Sequence, residues 1–381
     1  MDLRTMRLQM LKRVLFPAEV CTGKGSVERL ACLDAGRVLV VIGASGRRSG
    51  ALERVNAQLK DATAREVLEL EGGEPHAKSI AGARETVAAF APQWIVAVGG
   101  GAVLDSAKFL WAQLEHPELE FSGKAVPIGP LRAKARLAAI PTTAGSGSEA
   151  SQVAVLAGDD GTKIPYVSPH WVPDIAILDP VLTVSLPRDT TVATGFDALT
   201  HAVESGVSSF GNPFLRVLAG TAVELVLRHL PPAAENPQDL TARAGMLEAA
   251  FLAGLCQSMT STGAAHALSH AASKHHNASH GAATGFFLLP TMRWNRKKSA
   301  AVYDELATGC GLADGAALEA ALFALVARVG LPQRFEELIG RVPNAEERQT
   351  LAETAAKDVC LRTNACRLGT TELAQLLAEI D

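Results

Sequence analysis

Two unbroken apolar runs, each stopped by glycine and followed by a helical pattern, constrain this chain more than any other feature. Arg37-Val-Leu-Val-Val-Ile42 runs into Gly43-Ala-Ser-Gly46, with a helical pattern over residues 51–59. Trp94-Ile-Val-Ala-Val98 runs into Gly99-Gly100-Gly101, ahead of a helix carrying Asp105, Ala107, Lys108 and Leu110. A strand without polar alternation is one covered on both faces. Repetition of strand, glycine turn and helix therefore predicts a Rossmann-like parallel α/β sheet with right-handed crossovers. Residues 135–140 and Ala176-Ile-Leu178 read as further strands of it.

After Pro187 the character changes. From Thr191 onward the sequence is Ala/Leu-rich and helical, with Asn212-Pro213, Pro231-Pro232, Asn236-Pro237, Pro290 and Pro332 as the expected separators. A length of 381 residues suits two domains. We expect residues 1–187 to form an α/β dinucleotide-binding domain and residues 188–381 an all-helical domain for metal binding and catalysis. Lys plus Arg number 36 against 40 Asp plus Glu, with no long run of either sign, which disfavours nucleic acid and anionic membranes as partners. No stretch approaches about 18 uninterrupted apolar residues, so no membrane span is expected. The opening residues 1–13 interleave basic and apolar side chains without a continuous signal-peptide core, and the 6 cysteines form no CxxC pair. Both point to a cytoplasmic protein with reduced thiols.

Gly99, Gly100 and Gly101 follow a strand and open a helix, an arrangement in which backbone N–H groups can meet a phosphate. A close-packed glycine turn would look the same, and the sequence is not the GxGxxG fingerprint. Thr142 and Thr143 offer two hydroxyls in another post-strand glycine loop, Pro141-Thr-Thr-Ala-Gly-Ser-Gly-Ser-Glu149. The turn after the first strand bears on which nucleotide is held. An acid there suits a free ribose and an arginine suits a 2′-phosphate. Gly43-Ala-Ser-Gly-Arg47-Arg48-Ser49 has no acid and two arginines, so NADP(H) is expected ahead of NAD(H).

Of 10 histidines, five fall between residues 266 and 280: His266, His270, His275, His276 and His280. Upstream, Asp197 and His201 stand four apart and would share one helix face, as would His266 and His270. One carboxylate plus three imidazoles makes a coordination set for Fe²⁺ or Zn²⁺. Spacing alone leaves open which of the five histidines take part.

Together these segments resemble the iron-containing (group III) alcohol dehydrogenase family. The resemblance is carried by Gly99-Gly-Gly-Ala-Val-Leu-Asp-Ser-Ala-Lys108, by residues 141–149, by Asp179-Pro180 with Ser185-Leu-Pro187, by Thr194-Gly-Phe-Asp-Ala-Leu-Thr-His-Ala-Val-Glu204 and by residues 263–295. It implies the dehydroquinate synthase-like fold, with a metal between the two domains. It also implies hydride transfer between nicotinamide C4 and a small alcohol, aldehyde or ketone, and a homodimer formed through a first-domain edge strand. Carried over by position, Asp197, His201, His266 and His280 match the metal ligands, Fe²⁺ ahead of Zn²⁺. His270 matches a non-ligand histidine near the nicotinamide, which we expect to relay the alcohol proton. Gly100, Gly101, Asp105, Thr142, Thr143 and Lys163 match cofactor contacts, and the Gly43 to Ser49 loop, with Arg47, resembles that of NADP-using members.

Ala102, Ser279 and Thr363-Asn-Ala-Cys-Arg367 depart from the family pattern. The last two, with Ser273-Lys-His-His276, lie near the expected substrate side, so a relative's substrate is not carried over to this chain. The alternatives are a metal-independent reductase of the maleylacetate reductase type, a lyase like dehydroquinate synthase and a non-catalytic metal-binding protein. The first has no need of four intact ligands. The second requires converging basic residues that are not apparent, and the third leaves the glycine and threonine loops unexplained.

Overall fold

The computed structural model describes residues 14–34, 36–121, 126–158 and 162–380, and the basic-apolar opening at residues 1–13 lies outside them. The described chain divides into two compact units, one spanning Leu15–Leu186 and the other running from Pro187 onward.

In the first unit the elements are β1 (Glu19–Thr22), β2 (Arg37–Gly43), α1 (Ala44–Arg48), α2 (Ala51–Gln58), β3 (Ala64–Leu70), α3 (Ala77–Phe90), β4 (Trp94–Gly99), α4 (Gly101–Glu115), β5 (Arg136–Pro141), β6 (Val153–Ala157), β7 (Lys163–Val167) and β8 (Ile175–Leu178). Six strands form one parallel sheet in the order β1-β8-β5-β4-β2-β3, and β6 and β7 form a separate antiparallel pair. Apolar continuity in β2 and β4 has the predicted cause. Leu39, Val41, Ile95 and Ala97 pack into one core with Ile80 and Val87 of α3 and Leu104 of α4. Their alternates Val38, Val40, Ile42, Val96 and Val98 pack into another with Leu52 and Val55 of α2. Two covered faces leave no place for a polar side chain.

From β2 the chain crosses to β3 on one side, while β4 lies on β2's other side and leads on to β5. Strand order thus reverses between β2 and β4, and ligands of open α/β sheets bind outside the carboxyl ends of strands at such a point. Gly43 and Gly99 are the last residues of these two strands.

The second unit contains α5 (Arg188–Val207), α6 (Pro213–Glu235), α7 (Leu240–Thr260), α8 (Ala264–His276), α9 (His280–Gly309), α10 (Gly315–Val329), α11 (Phe335–Ile339), α12 (Ala345–Ala355) and α13 (Thr370–Ala378). Every residue of α5 from Gly195 to Val207 is buried, because α6, α7 and α9 all pack on it. A helix buried on all sides needs partners for its polar side chains, and those of α5 matter below. Asn212 and Asp239 cap α6 and α7 through their side chains. The expected separators are partly corrected. Pro213 does open α6, but Pro231 and Pro232 lie inside α6 and Pro290 inside α9. Proline removes one backbone donor, which flanking packing can absorb. Among the described residues no helix is long and apolar enough to cross a membrane.

Candidate metal centre and glycine turns

In the helical unit, α5 presents Asp197 and His201 one turn apart, α8 presents His266, and α9 begins at His280. One ligand atom from each of Asp197, His201 and His266 lies within 4.8 Å of the others, and all three residues are buried. Asp197 Oδ1 stands 4.0 Å from His201 Nε2, 3.6 Å from His266 Nε2 and 3.5 Å from His280 Nε2. These separations are too long for good hydrogen bonds. They suit ligands sharing one ion, since bonds of about 2.1 Å at tetrahedral angles set neighbouring donors about 3.4 Å apart. Asp197 Oδ1 and His266 Nε2 are buried without a hydrogen-bond partner, a costly state that a cation would relieve. A divalent metal therefore fits the residues present.

The charges point the same way. Burial works against a charged Asp197, but the imidazoles of His201, His266 and His280 outweigh it and hold its carboxyl well below the usual carboxylate range. Burial likewise disfavours a charged His266, yet Glu204 and Asp197 lift it to about 9. The pocket stabilises a cation, and a metal can take the place of that proton.

Side chains behind the four fix their aim. Glu204, two turns along α5 from Asp197, accepts from His266 Nδ1 at 2.6 Å, from Gly263 N at 2.8 Å and from Ala265 N at 2.7 Å. It thereby orients one imidazole and satisfies the N-terminus of α8, which has no side-chain cap of its own. Asn364 Oδ1 accepts from Ala264 N and Asn295 Nδ2. Ser269 Oγ lies 3.1 Å from His280 Nδ1. Asn277 ends α8 in the left-handed conformation and turns the chain back toward α9. At Gly281 an added Cβ would collide with the Ala193 carbonyl of α5, so only glycine lets the first turn of α9 come this close.

The five clustered histidines separate. His266 and His280 face Asp197. His270 stacks on His280 with ring centroids 5.2 Å apart, and its Nδ1 lies 2.7 Å from Asp358 Oδ2. His275 meets Thr354 at the exposed end of α8, and His276 lies near Arg341.

In the α/β unit, Gly100 opens α4 without a side-chain cap or an acid in the first turn, leaving an N-terminus suited to an anion. The loop after β5 packs directly on this turn: Thr142 N donates to Gly99 O, and a Cβ at Gly101 would come within 2.6 Å of Ser146 Oγ. Thr143 stands against Gly100. Asp105 is committed within the protein, accepting from Ser148 Oγ at 2.6 Å and from Val155 N at 2.9 Å. It holds the 148–155 segment to α4. Lys163 opens β7 and pairs with Glu74 at 2.8 Å. Arg47 is exposed on α1, its Nε 2.5 Å from Glu69 Oε2 of β3.

Reading the sequence did not single out Glu204, Asp358 or Glu69. Glu204 carried a signal, since Asp197, His201 and Glu204 recur at helical spacing on one face. Asp358 carried none, being brought to His270 by a distant segment.

Family models match both halves of the chain. A family model described as iron-containing alcohol dehydrogenase matches residues 17–180, and one described as the C-terminal part of the Fe-containing alcohol dehydrogenase family matches residues 191–380. The NADPH-dependent butanol dehydrogenase of Clostridium saccharobutylicum is 34% identical over 310 residues, covering 80% of this chain and 79% of that protein. An iron-containing alcohol dehydrogenase structure from Thermococcus thioreducens superposes with a TM-score of 0.88 at 31% identity, covering 96% of this chain and 99% of that one. Sulfoacetaldehyde reductase from Bifidobacterium kashiwanohense, solved in complex with NAD+, gives 0.87 at 27% identity, covering 97% and 98%.

Proposed function

The chain belongs to the iron-containing alcohol dehydrogenase family, and on that footing we propose that Asp197, His201, His266 and His280 hold its divalent metal, Fe²⁺ ahead of Zn²⁺. It is a metal- and NAD(P)-dependent oxidoreductase acting on alcohols or aldehydes. The observation that carries the ligand assignment is Asp197 Oδ1, buried, without a hydrogen-bond partner and ringed by three imidazoles. The same atom weighs against the metal-independent alternative, which gives no reason for such a group.

When bound, the cation supplies Lewis acidity toward the substrate oxygen and the nicotinamide supplies or takes the hydride. The chain's own residues do the rest. Glu204 fixes His266 with Nε2 turned toward Asp197, and Ser269 does the same for His280. His270 sets Nδ1 2.7 Å from the Asp358 carboxylate, a partner that favours a proton on that nitrogen and leaves Nε2 as the acceptor of the neutral ring. We assign to that atom the alcohol proton in oxidation and its return in reduction. The uncapped turn at Gly100 and Gly101, backed by Thr142 and Thr143, takes the dinucleotide's phosphates. Arg47 meets the 2′-phosphate, and NADP(H) is preferred, a reading supported by the NADPH-dependent butanol dehydrogenase among its relatives. Asp105, which also holds the loop through Ser148, and Lys163, which pairs with Glu74, complete the proposed cofactor contacts. A homodimer through β1 or β3, the two edge strands, and a reducing cytoplasm, which suits six free cysteines, complete the reading.

The test is metal content and turnover measured together after reconstitution with Fe²⁺ or Zn²⁺. Asp197→Asn is expected to lose metal and activity alike. His270→Ala is expected to keep its metal and lose about a hundredfold in kcat. A full equivalent of metal in Asp197→Asn would overturn the ligand assignment.

A further inference from the structure

We propose that Glu69 sets how strongly this chain prefers a phosphorylated dinucleotide, by competing with the 2′-phosphate for Arg47. The proposal rests on the reading of Arg47 given above and adds a second residue with the opposite effect.

Topology puts Glu69 in place. β2, the helical segment after it and β3 form one βαβ unit, and the two strands pair in parallel with Ile42 opposite Glu69 and Gly43 opposite Leu70. Glu69 therefore stands at the carboxyl end of β3, beside the turn that carries Arg47. Dinucleotide sites of parallel α/β sheets meet an unphosphorylated ribose with an acid at the carboxyl end of a strand. The turn after β2 has no acid of its own. The acid comes from the neighbouring strand instead.

Chemistry makes the two roles exclusive. The Arg47 guanidinium gives its Nε to Glu69 at 2.5 Å. That edge of the fork is one a phosphate would take in a bidentate contact. A 2′-phosphate must therefore displace a carboxylate and then sit beside its negative charge. A free 2′-hydroxyl displaces nothing, because it can donate to Glu69 while Arg47 stays paired. Side-chain exposures of 48% for Arg47 and 40% for Glu69 leave both free to rearrange, and an exposed pair of this kind is weak enough to open. Glu69 thus lowers affinity for NADP(H) and raises it for NAD(H), narrowing the preference that Arg47 creates.

The experiment is equilibrium binding of NADPH and NADH to the full-length protein, followed by the nucleotide's own fluorescence, so that no turnover is needed. Glu69→Gln is expected to tighten NADPH about two- to fivefold, the range of an exposed ion pair, and not to tighten NADH. The gain should shrink at high salt and in the Arg47→Ala background. Arg47→Ala alone is expected to weaken NADPH about tenfold or more with little change for NADH. If Arg47→Ala lowers the NADPH to NADH affinity ratio while Glu69→Gln leaves it unchanged, Glu69 is a surface partner only and the proposal fails, with the Arg47 reading intact. If Arg47→Ala leaves the ratio unchanged, the 2′-phosphate reading fails and takes this proposal with it.

Discussion

Glu204 is buried yet makes three hydrogen bonds, and each serves a different group: an imidazole and two backbone donors at the start of α8. Losing its charge should loosen His266 without touching the other three assigned ligands. Glu204→Gln is therefore expected to weaken metal binding by about ten- to a hundredfold, as read by competition with a chelator of known affinity. Unchanged metal affinity would reduce Glu204 to a helix cap. At this scale the sequence was informative where partners lie on one helix, as with Asp197 and His201. It was silent where docking brings partners together. Five histidines in a short stretch could not be sorted by spacing, since a left-handed turn at Asn277 decides that His280 points back to Asp197 and His276 does not. Glu69 was invisible for a related reason: strand pairing alone carries it to Arg47.

Helices and strands were legible in proportion to how fully they are buried. β2 and β4 lie inside the sheet, and their unbroken apolar runs announced them. β1 and β3 form its edges, half-buried and mixed in polarity as Glu19-Val-Cys-Thr22 and Ala64-Arg-Glu-Val-Leu-Glu-Leu70, and gave no run to read. The β6–β7 pair escaped notice likewise. Contact between α5 and α9 was also beyond the sequence, although Gly281 records it. Gly281→Ala forces α9 away from the Ala193 carbonyl and should carry His280 with it. We expect metal affinity to fall at least tenfold while far-ultraviolet circular dichroism stays near that of the parent. A variant that binds metal normally would show that the two helices can part without cost to the site.

Across the whole molecule, buried charge sits in both units but serves different ends. In the α/β unit Lys108 is fully buried and donates to Ser151 O, Ser151 Oγ and Val153 O, with burial lowering its pKa to about 8. Glu149 is buried in the same region, and burial pushes its carboxyl up to about 7. The folded state thus holds the Glu149 proton in a range where the unfolded chain has released it. Stability should fall as pH rises from the ordinary value of 4.5 to about 7, by at most about 1.4 kcal/mol per pH unit from this group. Glu149→Gln removes that slope, so its urea midpoint should gain on the parent's with rising pH and run parallel above 7. Parallel curves throughout would mean that Glu149 is ionised in the fold.

Between α5 and α8 the chain winds through α6 and α7 before returning to the same few ångströms. An ion gripped from both sides would rivet this half of the molecule across that detour, as a disulfide staples a small secreted domain. None of the six cysteines is paired. The rivet is then one that reductants leave alone and that scarcity of metal would withhold.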